Sequence, residues 1–248
     1  MSAQTVFLAG AGGAIGSRLV PQLVEAGHRV FGTTRASDKV AYLAELGAIP
    51  VVVDVFDSTK LAKVLGEARP TVVMNQLTDL PKMFEGALSE IILKKNARLR
   101  AEGTRKLVDA AISAGARRFV SQSLGWLYAP GPTPHHENDS LDWETEGSSA
   151  ATVRGVIALE QLTLNSPPLE GVVLRYGQFY GPGTWNTAQT GPLPVHIDAA
   201  AYAALLAVDT KHTGIYNIAE ENGLVSTEKA RRDLGWTASF RLPAHAAA

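Results

Sequence analysis

Three glycines spaced by three, Gly10, Gly13 and Gly16, stand where an apolar run gives way to a helical pattern. Residues 4–9 read as a strand. Ile15, Leu19 and Leu23, with Val20 and Val24, recur every four residues and predict a helix over 14–26, stopped by Gly27. Glycine permits a tight reversal, close approach of backbone to a ligand, and tight helix–strand packing. Such a turn ends at a helix N-terminus, where free N–H groups at Ala14 and Ile15 and the positive end of the helix dipole favour phosphate. An ordinary glycine-rich turn has the same composition. The strand before it and the helix after it are the context that a dinucleotide site requires.

The rest of the chain continues the alternation. Strands are expected at 28–34, 49–55, 71–77, 117–123 and 171–177, and helices at 37–46 and 58–65. A mostly helical stretch covers 84–114, with Leu107, Val108, Ala111 and Ile112 on one apolar face. Strands this apolar, separated by helices, predict an α/β fold: a doubly wound Rossmann-type parallel sheet with helices on both faces. Its crossovers are expected to be right-handed. Residues 1–180 read as a dinucleotide-binding domain. Residues 181–248 read as a small C-terminal substrate-side portion, interleaved with the first in a single compact unit. Loops at 129–149 and 181–194 follow strand ends, where open sheets of this kind bind ligands.

Composition excludes other classes. With 23 basic and 24 acidic residues the net charge is −1, so no nucleic-acid footprint is expected. No apolar run approaches the ~18 residues of a membrane span, and the first residues do not resemble a signal peptide, so a cytoplasmic location is expected. The absence of cysteine excludes disulfides and thiolate chemistry. His135, His136, Glu137 and Asp139 form a polar cluster without helical ligand spacing, and no metal is expected. Ser123-Leu124-Gly125 does not meet the Gly-x-Ser-x-Gly pattern of a nucleophile elbow.

The second strand ends in Gly32-Thr33-Thr34-Arg35, with no acid to hold a ribose 2′-hydroxyl. Arg35 beside Thr34 suits a 2′-phosphate, with Arg18 as a second cation, and favours NADP over NAD. A solvent-facing Arg35 would give the same sequence. Asp54 reads either as an acceptor for the adenine amino group or as a helix cap.

These residues resemble the extended short-chain dehydrogenase/reductase family, in its epimerase/dehydratase branch. The motifs are the 10–16 glycine spacing, Asp54-Val55, Asn75-Gln76-Leu77-Thr78, Gly103-Thr104-Arg105-Lys106-Leu107, and Arg175-Tyr176-Gly177-Gln178-Phe179-Tyr180-Gly181-Pro182. The resemblance implies that Val55, Gln76, Leu77, Tyr176, Gly177 and Phe179 touch the cofactor. It also implies a homodimer through helices near 84–114 and 150–165, although the face formed by Thr152, Val153, Val156, Leu159 and Leu162 reads equally as core.

The departures bear on chemistry. The family's Tyr-x-x-x-Lys pair is missing. Aligning Glu160 with the glutamate that follows the family's lysine puts Val156 at the lysine and Thr152 at the tyrosine. Counting back from Tyr128 puts Leu124 at the assisting serine, one residue from Ser123. The substrate cap is reduced, with twelve residues between Gly183 and His196. Two functions remain open. One is an NAD(P)-dependent oxidoreductase acting on a small carbonyl or alcohol, with Tyr128 and Ser123 handling protons. The other is a catalytically silent NADP(H)-binding sensor. A substrate-sized pocket beside Tyr128 or Tyr176 would favour the enzyme.

Overall fold

The computed structural model describes residues 3–81 and 88–243. The chain runs β1 (Thr5–Ala9), α1 (Ala14–Glu25), β2 (Arg29–Thr34), a 3₁₀ turn (Ser37–Lys39), α2 (Val40–Glu45), β3 (Ile49–Val52), α3 (Ser58–Ala68) and β4 (Val72–Asn75). Next come α4 (Glu90–Arg98), a π-helical turn (Leu99–Gly103), α5 (Thr104–Ser113), β5 (Arg118–Leu124), α6 (Ser148–Leu164) and β6 (Glu170–Tyr176). It ends with β7 (Gln178–Tyr180), β8 (Pro194–His196), α7 (Ile197–Asp209), β9 (Gly214–Ile218) and α8 (Glu228–Leu234).

The main sheet has seven strands in the order β3-β2-β1-β4-β5-β6-β9, every neighbour parallel. The order reverses between β1 and β4, and the loops at their carboxyl ends diverge to leave a crevice. Successive strand residues feed opposite layers, as a period of two requires. Val6, Leu8, Val72 and Met74 join the core beneath α1 and α7, whereas Phe7, Ala9 and Val73 join the one beneath α3 and α5. Burial on both faces explains why these strands read as continuous apolar runs.

The elements depart from expectation in specific places. β3 ends at Val52 rather than at 55, because the Asp54 carboxylate accepts from the Phe56 N–H and turns the chain. β4 ends at Asn75, whose side chain accepts from the Leu77 N–H and donates to Thr104. The helical stretch is broken by the π turn at Leu99–Gly103, and its expected start at 84–87 lies outside the described residues. Beyond residue 180 the chain returns to the main sheet through β9, and alanine-rich α7 packs against α1. Arg18 is buried in that contact, 2.6 Å from Asp198. It therefore does not join Arg35, as the sequence reading had it. No helix among the described residues is long and apolar enough to cross a membrane.

Candidate active site

The glycine turn is held by backbone crowding. Gly10 has φ +90°, and a Cβ there would lie 2.5 Å from the Gln76 carbonyl oxygen. A Cβ on Gly16 would lie 2.4 Å from the carbonyl oxygens of both Gly10 and Ala11. Gly13 precedes α1 with extended backbone, no side chain caps the helix, and its first turn carries no acid. The amides that open α1 are thus left for a ligand.

They face a cavity of about 1270 Å³. That exceeds the ~300–1,000 Å³ of common small-molecule sites, so a dinucleotide leaves room for a second molecule. Of the expected cofactor residues, Gly10, Gly13, Ala14, Ile15, Thr34, Arg35, Asp54, Val55, Gln76, Leu77, Gly177 and Phe179 all line it. Gly16 packs behind the turn instead. Tyr176 is fully buried, and burial pushes its phenol far above the ordinary value. Its hydroxyl and both amide atoms of Gln76 are buried without a well-formed hydrogen bond.

Arg35 lies 2.9 Å from Asp79 in an exposed pair. Lys39, which the sequence reading passed over, donates to the Gly12 carbonyl at 3.2 Å and adds a second cation beside the turn. The open helix start, the glycine cradle and these cations fit a dinucleotide phosphate group.

The wall where proton transfer was expected is different. Ser121 and Ser123 point from β5 toward α6, and Gln122 between them faces the cavity. The Ser123 hydroxyl donates to Glu160 at 2.6 Å, and the residue is 1% exposed. Glu160 also takes a bidentate pair from Arg175, at 2.8 and 2.7 Å. Ser123 therefore belongs to a buried ion-pair network and does not line the cavity.

Tyr128 does line it, but its hydroxyl donates to the Asn217 side-chain oxygen at 2.7 Å. Its ring stacks on His135 with centroids 4.8 Å apart. Burial raises the Tyr128 pKa despite the nearby Arg175, the opposite of the tuning a phenolic acid needs. Leu124 and Val156, the aligned serine and lysine positions, pack together with Leu141 in one apolar cluster. Thr152, the aligned tyrosine position, lines the cavity with a buried hydroxyl that has no partner.

Three aromatic side chains, Trp126, Phe179 and Trp185, also line the cavity. Trp185 donates to the Pro81 carbonyl at 3.0 Å and ties the 181–194 loop to the segment after β4. Arg100, on the π turn, lines it as well.

Residues 6–236 match the family model described as the NAD dependent epimerase/dehydratase family. A Streptomyces protein described as a 3-diazoavenalumate denitrifying reductase is 37% identical over 238 residues, covering 87% of this chain and 76% of that one. A UDP-N-acetyl-alpha-D-glucosaminuronate decarboxylase from Bacillus cytotoxicus is 24% identical, over 78% of this chain and 60% of that one. Among solved structures, the UDP-glucose 4-epimerase of Thermotoga maritima with UDP-glucose superimposes with TM-score 0.76 at 18% identity, covering 95% and 94% of the two chains. The Bordetella bronchiseptica enzyme WbmG in complex with NAD gives TM-score 0.74 at 15% identity, covering 97% and 91%.

Proposed function

The chain belongs to the NAD dependent epimerase/dehydratase family, and from that premise we propose that it is an NADP-dependent reductase whose acceptor needs no proton from the enzyme. The observation that carries this reading is the contact of Leu124 with Val156 where the resemblance expects serine and lysine. An apolar cluster there neither donates a proton nor lowers the pKa of a donor. The Thr152 hydroxyl, at the tyrosine position, is an aliphatic alcohol and a far weaker acid than a phenol.

The acceptor's chemistry follows from that wall. A carbonyl that takes a hydride becomes an alkoxide, and a positioned acid is worth roughly 10²–10⁴-fold in such a step. An aryl diazonium group needs no acid. Hydride adds, the carbon–nitrogen bond breaks, and dinitrogen leaves; one hydride and one diazonium cation balance to one arene and one dinitrogen. The name of the Streptomyces relative, a denitrifying reductase of a diazo compound, supports this acceptor over the carbonyl or alcohol expected from the sequence.

When bound, the nicotinamide would supply the hydride. The chain's own contributions are binding and orientation. The N-terminus of α1 holds the pyrophosphate, and Arg35 with Lys39 favours a 2′-phosphate. Trp126 and Phe179 offer flat apolar surface to an aromatic body.

The test is NADPH consumption with an aryl diazonium salt and with the matching aryl aldehyde, each against an enzyme-free control. Enzyme-dependent consumption with the diazonium salt, retained in Tyr128→Phe, is expected, with little or none for the aldehyde. Aldehyde reduction that is lost in Tyr128→Phe would restore the phenolic-acid mechanism. A second reading, the silent NADP(H) sensor, draws on the same apolar cluster. It predicts NADPH binding without turnover of either acceptor.

A further inference from the structure

Among the described residues, three acids line the cavity: Asp54, Asp79 and Asp142. Two of them belong with the cofactor cradle. Asp54 follows β3, and its carboxylate accepts from the Phe56 N–H at 2.9 Å. Asp79 follows β4, takes the Arg35 guanidinium at 2.9 Å and is tied to Asn96 at 2.9 and 3.0 Å. Arg100 comes one helical turn after Asn96 and stands with that group.

The sheet sets Asp142 apart from them. Its N–H donates at 2.8 Å to the carbonyl of Leu127, which follows the end of β5. Its own carbonyl accepts from the Thr145 N–H at 3.2 Å, and the preceding Leu141 bridges to Tyr128. These bonds pin the half-buried Asp142 against Trp126, Leu127 and Tyr128, all of which line the cavity. Neighbouring strands lie about 4.8 Å apart, so the end of β5 stands roughly 10 Å from that of β1, where the phosphate turn begins. Arg35 follows β2, one strand farther out.

Leu141 also packs with Leu124 and Val156, the aligned serine and lysine positions. Asp142 thus belongs to the end of the cavity where the family's chemistry is expected. Two kinds of group meet there, the nicotinamide ring and the acceptor. The reduced ring is uncharged and offers a carboxylate no ion pair. A charged partner for Asp142 comes from the acceptor. The acceptor proposed above is a cation, and Trp126, 44% exposed beside the pinned Leu127, is the ring type that holds cations best.

We propose that Asp142 receives the cationic head of the aromatic acceptor, with the Trp126 indole flanking it. The proposal rests on the reductase reading and names the residue that selects a charged acceptor over a neutral one. Hydride addition discharges a diazonium group. The ion pair is therefore strongest before the reaction and weakens in the transition state. Asp142 contributes affinity, and not rate.

The test uses two probes of one shape, benzamidinium and benzamide, titrated calorimetrically into the full chain with and without saturating NADPH. At low salt benzamidinium should bind about tenfold tighter, a charge-assisted contact discounted for a half-buried acid. The preference should shrink as salt rises. Asp142→Asn should abolish it, Asp142→Glu should recover part of it, and both variants should keep wild-type affinity for NADPH and NADP⁺. With an aryl diazonium salt, Asp142→Asn should raise KM about tenfold at unchanged kcat. Equal binding of the two probes to the wild-type protein, no benzamidinium binding at millimolar concentration, or a preference that survives Asp142→Asn would overturn the assignment. So would a loss of NADP⁺ affinity in Asp142→Asn, since the acid would then serve the oxidised nicotinamide. A wild-type chain that prefers benzamidinium through Asp142 yet turns over no diazonium salt would support the cation site and contradict the reductase reading instead.

Discussion

Replacing Arg35 by alanine separates the two nicotinamide cofactors. Its guanidinium now pairs with Asp79 at 2.9 Å, with side chains 57% and 35% exposed. Exposed pairs of this kind contribute ~0–1 kcal/mol, so the arginine gives up little by turning to a phosphate. A charge-assisted contact to the 2′-phosphate is worth roughly 1.5–3 kcal/mol, and exposure and salt move it to the low end. Arg35→Ala should therefore weaken NADPH binding by about 1–2 kcal/mol, or roughly 5–30-fold. Asp79, left without its partner near the phosphate, adds to that loss. NADH carries no 2′-phosphate and should bind as before. Parallel fluorescence titrations at low and high salt read both effects, and the NADPH penalty should shrink as salt rises. Asp79→Asn should act in the opposite direction and tighten NADPH. Equal losses of NADPH and NADH in Arg35→Ala would refute the 2′-phosphate contact.

Other consequences follow from the same geometry. Gly16→Ala would put a Cβ within 2.4 Å of two backbone carbonyls, so it should reduce both thermal stability and cofactor affinity; a wild-type Tm with wild-type NADPH binding would contradict the crowding argument. Glu160→Ala strands the Arg175 guanidinium, whose side chain is 4% exposed. The expected loss is ~3–5 kcal/mol, or a Tm fall of roughly 6–20 °C for a chain of this size by calorimetry. A loss below about 1 kcal/mol would mean that water reaches Arg175. Ser123→Ala should cost roughly 1.5–3 kcal/mol in stability, the range for a hydrogen bond to a charged group, and leave turnover intact, since its hydroxyl serves Glu160 and not the cavity.

A pH effect follows from Glu170. The Arg118 hydrogen bond, at 2.6 Å, holds its carboxyl below the ordinary value of 4.5. The folded chain therefore binds fewer protons than the unfolded one in acid. The stabilisation is present above pH 4.5 and is lost as pH falls through the lowered value. In Glu170→Gln the drop in urea midpoint between pH 7 and pH 3 should be smaller than in the wild type, and an identical drop would refute the pairing.

The sheet and its glycine turn were legible because both depend on local pattern. Apolar runs set off by glycine mark β1, β2 and β5, one opened by Pro70 marks β4, and burial on both faces keeps those runs apolar. β9 gives no strand signal because it is short and carries Asn217, whose polarity is satisfied by Ser226 in the following loop and by Tyr128, 89 residues away. Arg18 was misplaced for a similar reason. Its partner, Asp198, lies 180 residues away, and only tertiary packing brings the two helices together.

For the site, residue type was a poorer guide than facing. Ser123 and Gln122 are adjacent, yet the strand's alternation sends the serine to α6 and the glutamine to the cavity. The aligned family positions were more informative. Leu124 and Val156 were chemically silent in the sequence, and the structure joins them in one cluster. Arg100 gave no sequence signal, because the π turn that carries it leaves no mark on the apolar pattern.

The most direct measurement is deuteride transfer from NADPH labelled at one or the other face of nicotinamide C4, with an aryl diazonium salt as acceptor. Deuterium should enter the arene ring from one face only, one atom per dinitrogen released. Product without deuterium, or equal transfer from both faces as in the enzyme-free reaction, would contradict hydride delivery from a cofactor held in this cavity.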